Sequence, residues 1–280
     1  MRGILFVVVD LASWAALKVR GLEGFSFYGS QKVLKFNRLL HLCLKVFFLK
    51  YETTIQQIIP RTDDVTSYRF PKQKGLDYKA GQFLLVTIKQ GDRELTKPFS
   101  FSSSPTEPNH IEFTKKFTDH EFSTALRVCK VGDWARIDAP YGQLTFEGEY
   151  PKISLLSGGI GITPFMSIIK NATDKKLESQ ITLFYGNRTE NEITFKNEIE
   201  ELAKKNLKLK LVLVVTEPSP QWNGARGIIT AELVKKELPD YKENMFYTCG
   251  PPGMVSAMEK LIESIGLPKE KIKKELFAGY

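Results

Sequence analysis

Cysteine and histidine are scarce in this 280-residue chain, with three of each. Cys43, Cys129 and Cys249 are too few and too scattered for a disulfide framework. They also exclude an internal iron–sulfur cluster, which needs four thiolates at tight spacing. His41, His110 and His120 make a His-rich metal site an unfavoured reading, so no metal is expected. No apolar run reaches the roughly 20 residues of a membrane span. Asp10 breaks the run at residues 4–9. That Asp and the lack of a small-residue cleavage site disfavour a secretory signal. Glycine and proline, 20 and 14 residues, are at ordinary levels, which excludes fibrous and disordered classes.

The formal net charge is +8, but it is unevenly spread. Residues 1–50 carry eight Lys/Arg against two Asp/Glu, so +6 of the +8 sits there and +2 remains for the other 230 residues. A near-neutral body lacks the electrostatic footprint of a nucleic-acid binder, and no nucleic-acid partner is expected. Within the basic segment, VLKFNRLLHLCLKVFFLK sets Lys35, Arg38 and Lys45 at helical spacing among apolar residues. That pattern fits a basic amphipathic helix able to lie on an anionic membrane surface. A helix packed on the body, or residues upstream of the true start, are together favoured over membrane contact, although no Met occurs between Met1 and Met166. A cytoplasmic location is the corresponding expectation.

The body divides near residues 147–152. Residues 51–150 are short, alternating and rich in β-branched and aromatic residues: YETTIQQII, VTSYRF, FLLVTI, FSFSS, HIEFTKKF and WARIDAP. Turn signals separate them, and one helical patch covers residues 121–128. This predicts an antiparallel β-barrel or sandwich. Residues 151–280 alternate instead between apolar runs of five to seven residues and amphipathic helices, which predicts βαβ units and a parallel-sheet α/β domain.

Ligands of doubly wound folds bind beyond the carboxyl ends of the strands. Three such ends here are unusual. SGGIGITP carries Gly158, Gly159 and Gly161 ahead of Thr163 and Pro164, where a helix should begin. Bare backbone and free helix amides at such a turn suit an anion, or simply a tight turn. FYGNRTENEI places Asn187 and Arg188 past a strand, where Arg188 either reaches a ribose or its phosphate or is a solvated loop residue. FYTCGPPGM stops a strand at Cys249, turns at Gly250 and opens a helix at Pro251 and Pro252. Cys249 is expected at the mouth of the sheet on the same face.

These residues, with four upstream stretches, carry a family resemblance. GQFLLVTI, KPFSFSS, HEFSTAL, VGDWARIDAPYG, GGIGITP, YGNRTENEI and CGPPGM follow one another in order. From about Tyr51 to Tyr280 the chain resembles the ferredoxin–NADP reductase superfamily: a flavin-binding β-barrel followed by a nicotinamide-dinucleotide domain, without an iron–sulfur domain. Residues 1–50 lie outside the resemblance.

The resemblance implies a flavin in the barrel, FAD rather than FMN because the phosphate-segment Ser123 is kept, and NADH or NADPH in the second domain. It implies hydride transfer to flavin and electron transfer onward. It places Ser100 near flavin N5 and Phe99 against the ring, with Pro98 between Phe99 and Lys97. Lys97 takes the place of an Arg that neutralises the flavin phosphates. Phe113, Thr114 and Lys115 fall on the strand whose backbone meets the pyrimidine edge, and Ser123 and Thr124 start a helix facing the pyrophosphate. Gly159, Gly161 and Thr163 face the dinucleotide phosphates. Asn187 and Arg188 belong to the coenzyme site, and Cys249, Gly250 and Pro251 flank the nicotinamide. Phe277 or Tyr280 covers the flavin ring or closes an edge strand. Ser100 and Cys249 are the implied catalytic residues. The chain departs from the family pattern at Lys97, at Phe99 in place of Tyr, at His120 and at Ala139. Arg188 and Arg226 are both open as 2′-phosphate partners, so the coenzyme stays undecided.

The functional expectation is an NAD(P)H-dependent flavoprotein reductase serving a separate acceptor: a ferredoxin, a flavodoxin, an oxygenase component or a small acceptor. The alternative is a non-catalytic electron-transfer or regulatory subunit of a larger redox complex.

Overall fold

The computed structural model describes residues 49–277. The expectations for residues 1–48 and for Tyr280 fall outside these described residues.

Alternation in the first half builds two antiparallel sheets. One contains β1 (Leu49–Thr54), β4 (Phe83–Gln90), β5 (Arg93–Ser100) and β7 (Trp134–Tyr141) in the order β1-β7-β4-β5. The other contains β2 (Gln57–Thr62), β3 (Val65–Pro71) and β6 (His110–Lys116) in the order β2-β3-β6. A bridge from Phe101 to Phe113 links them into a barrel-like body. Ile111 and Phe113 of β6 enter the core with Leu84, Val86 and Ile137 from the facing sheet. Glu112 and Thr114, at the alternate positions, are buried as well. A strand buried on both faces must satisfy its polar side chains within the protein. The helix α1 (Glu121–Arg127) packs Phe122 and Leu126 onto the same core.

Two expected strands differ from the structure. YETTIQQII is two strands in different sheets, because the chain turns at buried Ile55, whose amide donates to the Asp133 carbonyl and whose carbonyl accepts from Gly132. Only Phe99 and Ser100 of FSFSS lie in a strand, as the end of β5, which begins at Arg93 and pairs with β4 across the Gly91–Asp92 turn. The polar residues of RELTKPFS hid it, since an edge strand needs an apolar side only where it meets the core.

The second half forms a six-stranded parallel sheet from β8 (Lys152–Gly158), β9 (Gln180–Asn187), β10 (Leu209–Val215), β11 (Ala225–Arg226), β12 (Met245–Gly250) and β13 (Ile272–Leu276). Helices α2 (Thr163–Asp174) and α3 (Lys196–Lys205) cover one face. Helices α4 (Ala231–Glu237) and α5 (Pro252–Ser264) cover the other. The order β11-β10-β9-β8-β12-β13 starts in the middle. The chain winds outward from β8 to β11 and then returns to β12 on the other side. The carboxyl ends of β8 and β12 therefore mark the switch point of a doubly wound sheet, where a crevice opens.

The two lobes share apolar core. Ala80, Leu144 and Phe146 join the α2 side of the parallel sheet. Gly81 sits at this seam, at φ +100 with a Cβ position only 2.0 Å from the Leu144 carbonyl oxygen, so only glycine fits.

Candidate functional site

A slot lies where the barrel meets the switch point. The barrel supplies Phe83, Pro98, Phe99, Ser100 and Thr114; the turn after β8 supplies Ile160 and Thr163; the chain end supplies Glu275, Leu276 and Phe277. Strand pairing sets the barrel wall, because Ser100 stands opposite Phe83 in the β4–β5 ladder. Phe99 is held by stacking on Phe113 at 4.5 Å and by Phe122 at 5.4 Å. The Phe277 amide donates to the Gly250 carbonyl at 2.9 Å, which ties the chain end to the end of β12. Flat apolar walls bearing a few hydroxyls fit a planar aromatic ring with one polar edge.

Among the described residues Glu275 is the one carboxyl of this slot. Burial pushes it up to about 7. Gly142 makes room for it: a Cβ there would lie 3.1 Å from the Glu275 carboxylate and 2.9 Å from the Phe83 ring.

A second cavity, about 440 Å³, shares Pro98 and Phe99 with the slot and continues along Lys97, Lys115, His120 and Ser123. Burial and, after it, the Lys97 charge together lower the Lys115 ammonium to about 8. Two ammonium groups that repel one another across a cavity suit a polyanion. The Ser123 hydroxyl accepts from the Thr118 amide at 2.8 Å and so shapes the cavity wall. Thr124 is exposed, donates to the His120 carbonyl at 3.3 Å and does not line the cavity.

A third cavity, about 680 Å³, opens over the parallel sheet. Gly158 ends β8 and Gly159 follows it, Gly186 and Asn187 end β9, and Met254, Met258 and Leu261 of α5 form an apolar floor. The Asn187 side-chain amide is buried beside the Tyr185 hydroxyl, and among the described residues neither its oxygen nor its nitrogen makes a well-formed hydrogen bond, so it can serve a ligand. Arg188 is on the rim, with its Nε 3.2 Å from Glu192. Arg226 is placed elsewhere: its guanidinium donates to the carbonyls of Ser219, Pro220 and Trp222 and staples that loop.

The expected residues therefore divide. Pro98, Phe99, Ser100, Thr114, Thr163 and Phe277 meet on the slot, and Lys97, Lys115 and Ser123 on the second cavity. Gly159, Asn187 and Arg188 meet on the third. Thr163 lines the slot, and its hydroxyl donates to the Ile160 carbonyl at 3.2 Å. The Phe113 ring is in the barrel core. Gly161 packs its Cα against β12, where a Cβ would lie 2.4 Å from the Cys249 carbonyl oxygen. Cys249 is fully buried and donates its thiol to the Gly161 carbonyl at 2.9 Å. Burial, reinforced by the Glu275 carboxylate, pushes that thiol well up. Gly250 and Pro251 line none of the three cavities.

Known proteins share this arrangement. Residues 53–146 match the oxidoreductase FAD-binding domain and residues 155–260 the oxidoreductase NAD-binding domain. NADH-cytochrome b5 reductase 1 of Aspergillus terreus is 31% identical over 279 residues, 95% of this chain and 92% of that protein. This chain belongs to the ferredoxin reductase-like family. Another relative, the reductase component of propane 2-monooxygenase from Rhodococcus jostii, is 29% identical and covers 81% of this chain and 63% of its own length. The FAD/NAD-binding domain of Vibrio cholerae nitric oxide dioxygenase has the same fold, with a TM-score of 0.73 at 22% identity, over 81% of this chain and 98% of that one.

As a ferredoxin reductase-like protein, the chain is an NAD(P)H-dependent flavoprotein reductase that binds FAD and a nicotinamide dinucleotide and passes electrons to an acceptor. Among the described residues no helix is long and apolar enough to cross a membrane, and no group of His, Cys, Asp and Glu is arranged to hold a metal ion. In this ferredoxin reductase-like site, sequence reasoning missed Phe83, Ile160 and Glu275. Glu275 had no local signal, since the chain-end stretch KKELF reads as a closing edge strand. Its place follows only from the parallel pairing of Cys249 with Glu275.

Proposed function

We propose that this reductase takes hydride from NAD(P)H in the slot between its lobes and delivers electrons to a separate one-electron acceptor protein. A cytochrome b5-type haem protein is the first candidate and an oxygenase component the second. The observation that carries the reading is the slot itself, where Ser100 and Thr114 of the barrel face Ile160 and Thr163 of the switch point. A ring held by one lobe and a ring held by the other can meet nowhere else among the three cavities.

When bound, FAD supplies an acceptor for a hydride and a donor of single electrons. Phe99, Ser100 and Thr114 would hold its ring system, with Lys97, Lys115 and Ser123 at its phosphates. Phe83 and Phe277 keep water from the slot. The Ser100 hydroxyl can donate or accept, so it tolerates a change of protonation at the atom it faces. Glu275 can hold or release a proton near neutral pH, which suits an acid–base role beside the ring. The third cavity would hold the adenosine half of the coenzyme, with Asn187 and Arg188 on the dinucleotide and the α5 methionines beneath it. The buried Cys249 shapes the turn through Gly161 rather than acting as a nucleophile. Relatives named as NADH-dependent reductases support NADH as the coenzyme.

The test is anaerobic stopped-flow mixing of the flavin-loaded protein with NADH and NADPH in parallel, followed by cytochrome b5 or ferredoxin. Rapid bleaching of the flavin band and reoxidation by one of the proteins is expected. A flavin band that neither coenzyme bleaches would defeat the proposal.

A further inference from the structure

A polar seam joins the lobes and begins at the slot. The Thr114 hydroxyl is 2.9 Å from that of Ser102 and 2.7 Å from that of Ser67. Ser102 donates to Glu112 at 2.9 Å. The Glu112 side chain is fully buried, with Arg61 at 3.1 Å and Arg69 at 2.7 Å. Burial pushes the Glu112 carboxyl up, but the Lys170, Arg61 and Arg69 cations outweigh it and hold it below its ordinary range.

All of those residues except Lys170 belong to the barrel. From there the seam crosses. Arg61 lies 3.5 Å from Glu198 on α3, and Glu198 lies 2.9 Å from Lys170 on α2. Lys170 returns to the barrel by donating to the Ser102 carbonyl at 2.9 Å. Phe195 lies beneath both cations, its ring 4.7 Å from Arg61 and 5.6 Å from Lys170. It is buried and left-handed, at φ 63 and ψ 19. A bulky residue keeps such a backbone only where its surroundings over-determine it.

Lys170 is seven residues along α2 from Thr163, roughly 10 Å along the helix axis. Thr163 lines the slot, and Ser102 is two residues past Ser100. A tie from Lys170 to Ser102 therefore locks the helix that presents the GGIGITP turn to the strand that presents Ser100. We propose that Glu198 and Lys170 are positioning residues for hydride transfer, setting the approach of the coenzyme lobe to the flavin face. This rests on the reductase reading above. Neither residue lines the slot, and a misplacement of about 1 Å costs such a transfer on the order of 100-fold.

The variants Glu198→Gln, Lys170→Met and Lys170→Arg test it in the flavin-loaded full chain. The Gln and Met variants should lower the limiting rate of flavin reduction at saturating coenzyme by roughly 10-fold. Flavin occupancy and coenzyme Kd should stay at wild-type values. The long-wavelength charge-transfer absorbance formed between reduced flavin and NAD(P)+ should weaken in both, because it reports ring-to-ring approach rather than turnover. Lys170→Arg, which keeps a cation in reach of Ser102 and Glu198, should restore rate and absorbance. Unchanged rate and absorbance in the Gln and Met variants would overturn the proposal. So would a loss that only follows flavin occupancy, or an Arg variant as slow as the Met variant. A wild-type chain that no coenzyme reduces defeats the reductase reading instead, so the two failures are distinguishable.

Discussion

Cys249 and Glu275 stand opposite one another on the neighbouring parallel strands β12 and β13. The thiol is turned into the core and the carboxyl lines the slot. Burial raises both, so each is held in its neutral form at a pH where exposed carboxyls are charged.

Glu275 makes the folded protein pH-dependent in a defined direction. Its carboxyl lies at 4.5 when unperturbed and at about 7 in the fold. Between those values the folded state binds more protons than the unfolded state, so stability falls as pH rises through the window and levels off above it. Glu275→Gln should flatten that decline and leave the flavin-free chain on the order of 2–3 kcal/mol more stable at pH 8, with no gain near pH 4. Urea unfolding at several pH values checks it, and parallel curves for the two proteins would contradict the assignment. In the loaded enzyme the same variant should remove an inflection near pH 7 from the reduction rate.

Ser100→Ala removes a hydroxyl from the slot without opening the barrel, since the strand keeps its ladder with β4. Losing one hydrogen bond at a reacting atom is worth about 1–3 kcal/mol. The limiting rate of flavin reduction should fall roughly 10-fold or more, with coenzyme Kd nearly unchanged. A raised KM at a wild-type reduction rate would remove Ser100 from the assigned role.

Lys115 carries a second pH dependence. Its ammonium is lowered to about 8 in the flavin-free chain by burial and by Lys97. A bound pyrophosphate favours the charged form, so flavin binding above pH 8 should take up a proton and weaken as pH rises. Calorimetry of FAD binding in buffers of different ionisation enthalpy reads this directly. Lys97→Ala should shift the onset to higher pH, because a like charge is removed. Proton uptake independent of Lys97 would show that the two do not share a ligand.

What the sequence disclosed and what it hid follow from range. GGIGITP and CGPPGM were legible because each packs strand end, turn and helix start into a few adjacent residues, and YGNRTENEI because it joins a strand end to its loop. The α/β half was equally plain, since its central strands β8, β9, β10 and β12 read as largely apolar runs. Glu275 was hidden because its surroundings come from Gly142 and Phe83, which are distant in the chain. On paper Arg226 stood beside Arg188 as a second 2′-phosphate candidate with no clear assignment; the fold places Arg188 on the cavity rim and ties Arg226 to loop carbonyls. Glu198 had no local signal on its helix, and its partner Arg61 lies 137 residues away. The split at Ile55 was missed because YETTIQQII carries no turn residue at the bend, where the hydrogen-bond partners change.

Gly159 and Gly161 should respond differently to the same methyl group. At Gly161 the new Cβ meets the Cys249 carbonyl oxygen at 2.4 Å, and both sides of that contact are backbone. Relief requires β12 to move away from the turn at the switch point. Gly161→Ala should cost about 2–3 kcal/mol and lower Tm by roughly 5–10 °C. It should also expose the Cys249 thiol, which is fully buried in the wild type, to a thiol reagent. At Gly159 the Cβ meets nothing within 4 Å, and the only strain is the left-handed φ of +50. Gly159→Ala should cost about 1 kcal/mol, from backbone conformation alone. Because Gly159 lines the third cavity, the proposed coenzyme site, its Cβ instead stands where a dinucleotide would approach the chain. Its main effect should be a coenzyme Kd raised roughly 10-fold, a change of about 1.4 kcal/mol in binding. Thermal melts and coenzyme titrations on the pair separate a glycine needed by the fold from a glycine needed by the ligand. Equal losses in both measurements for both variants would erase that distinction.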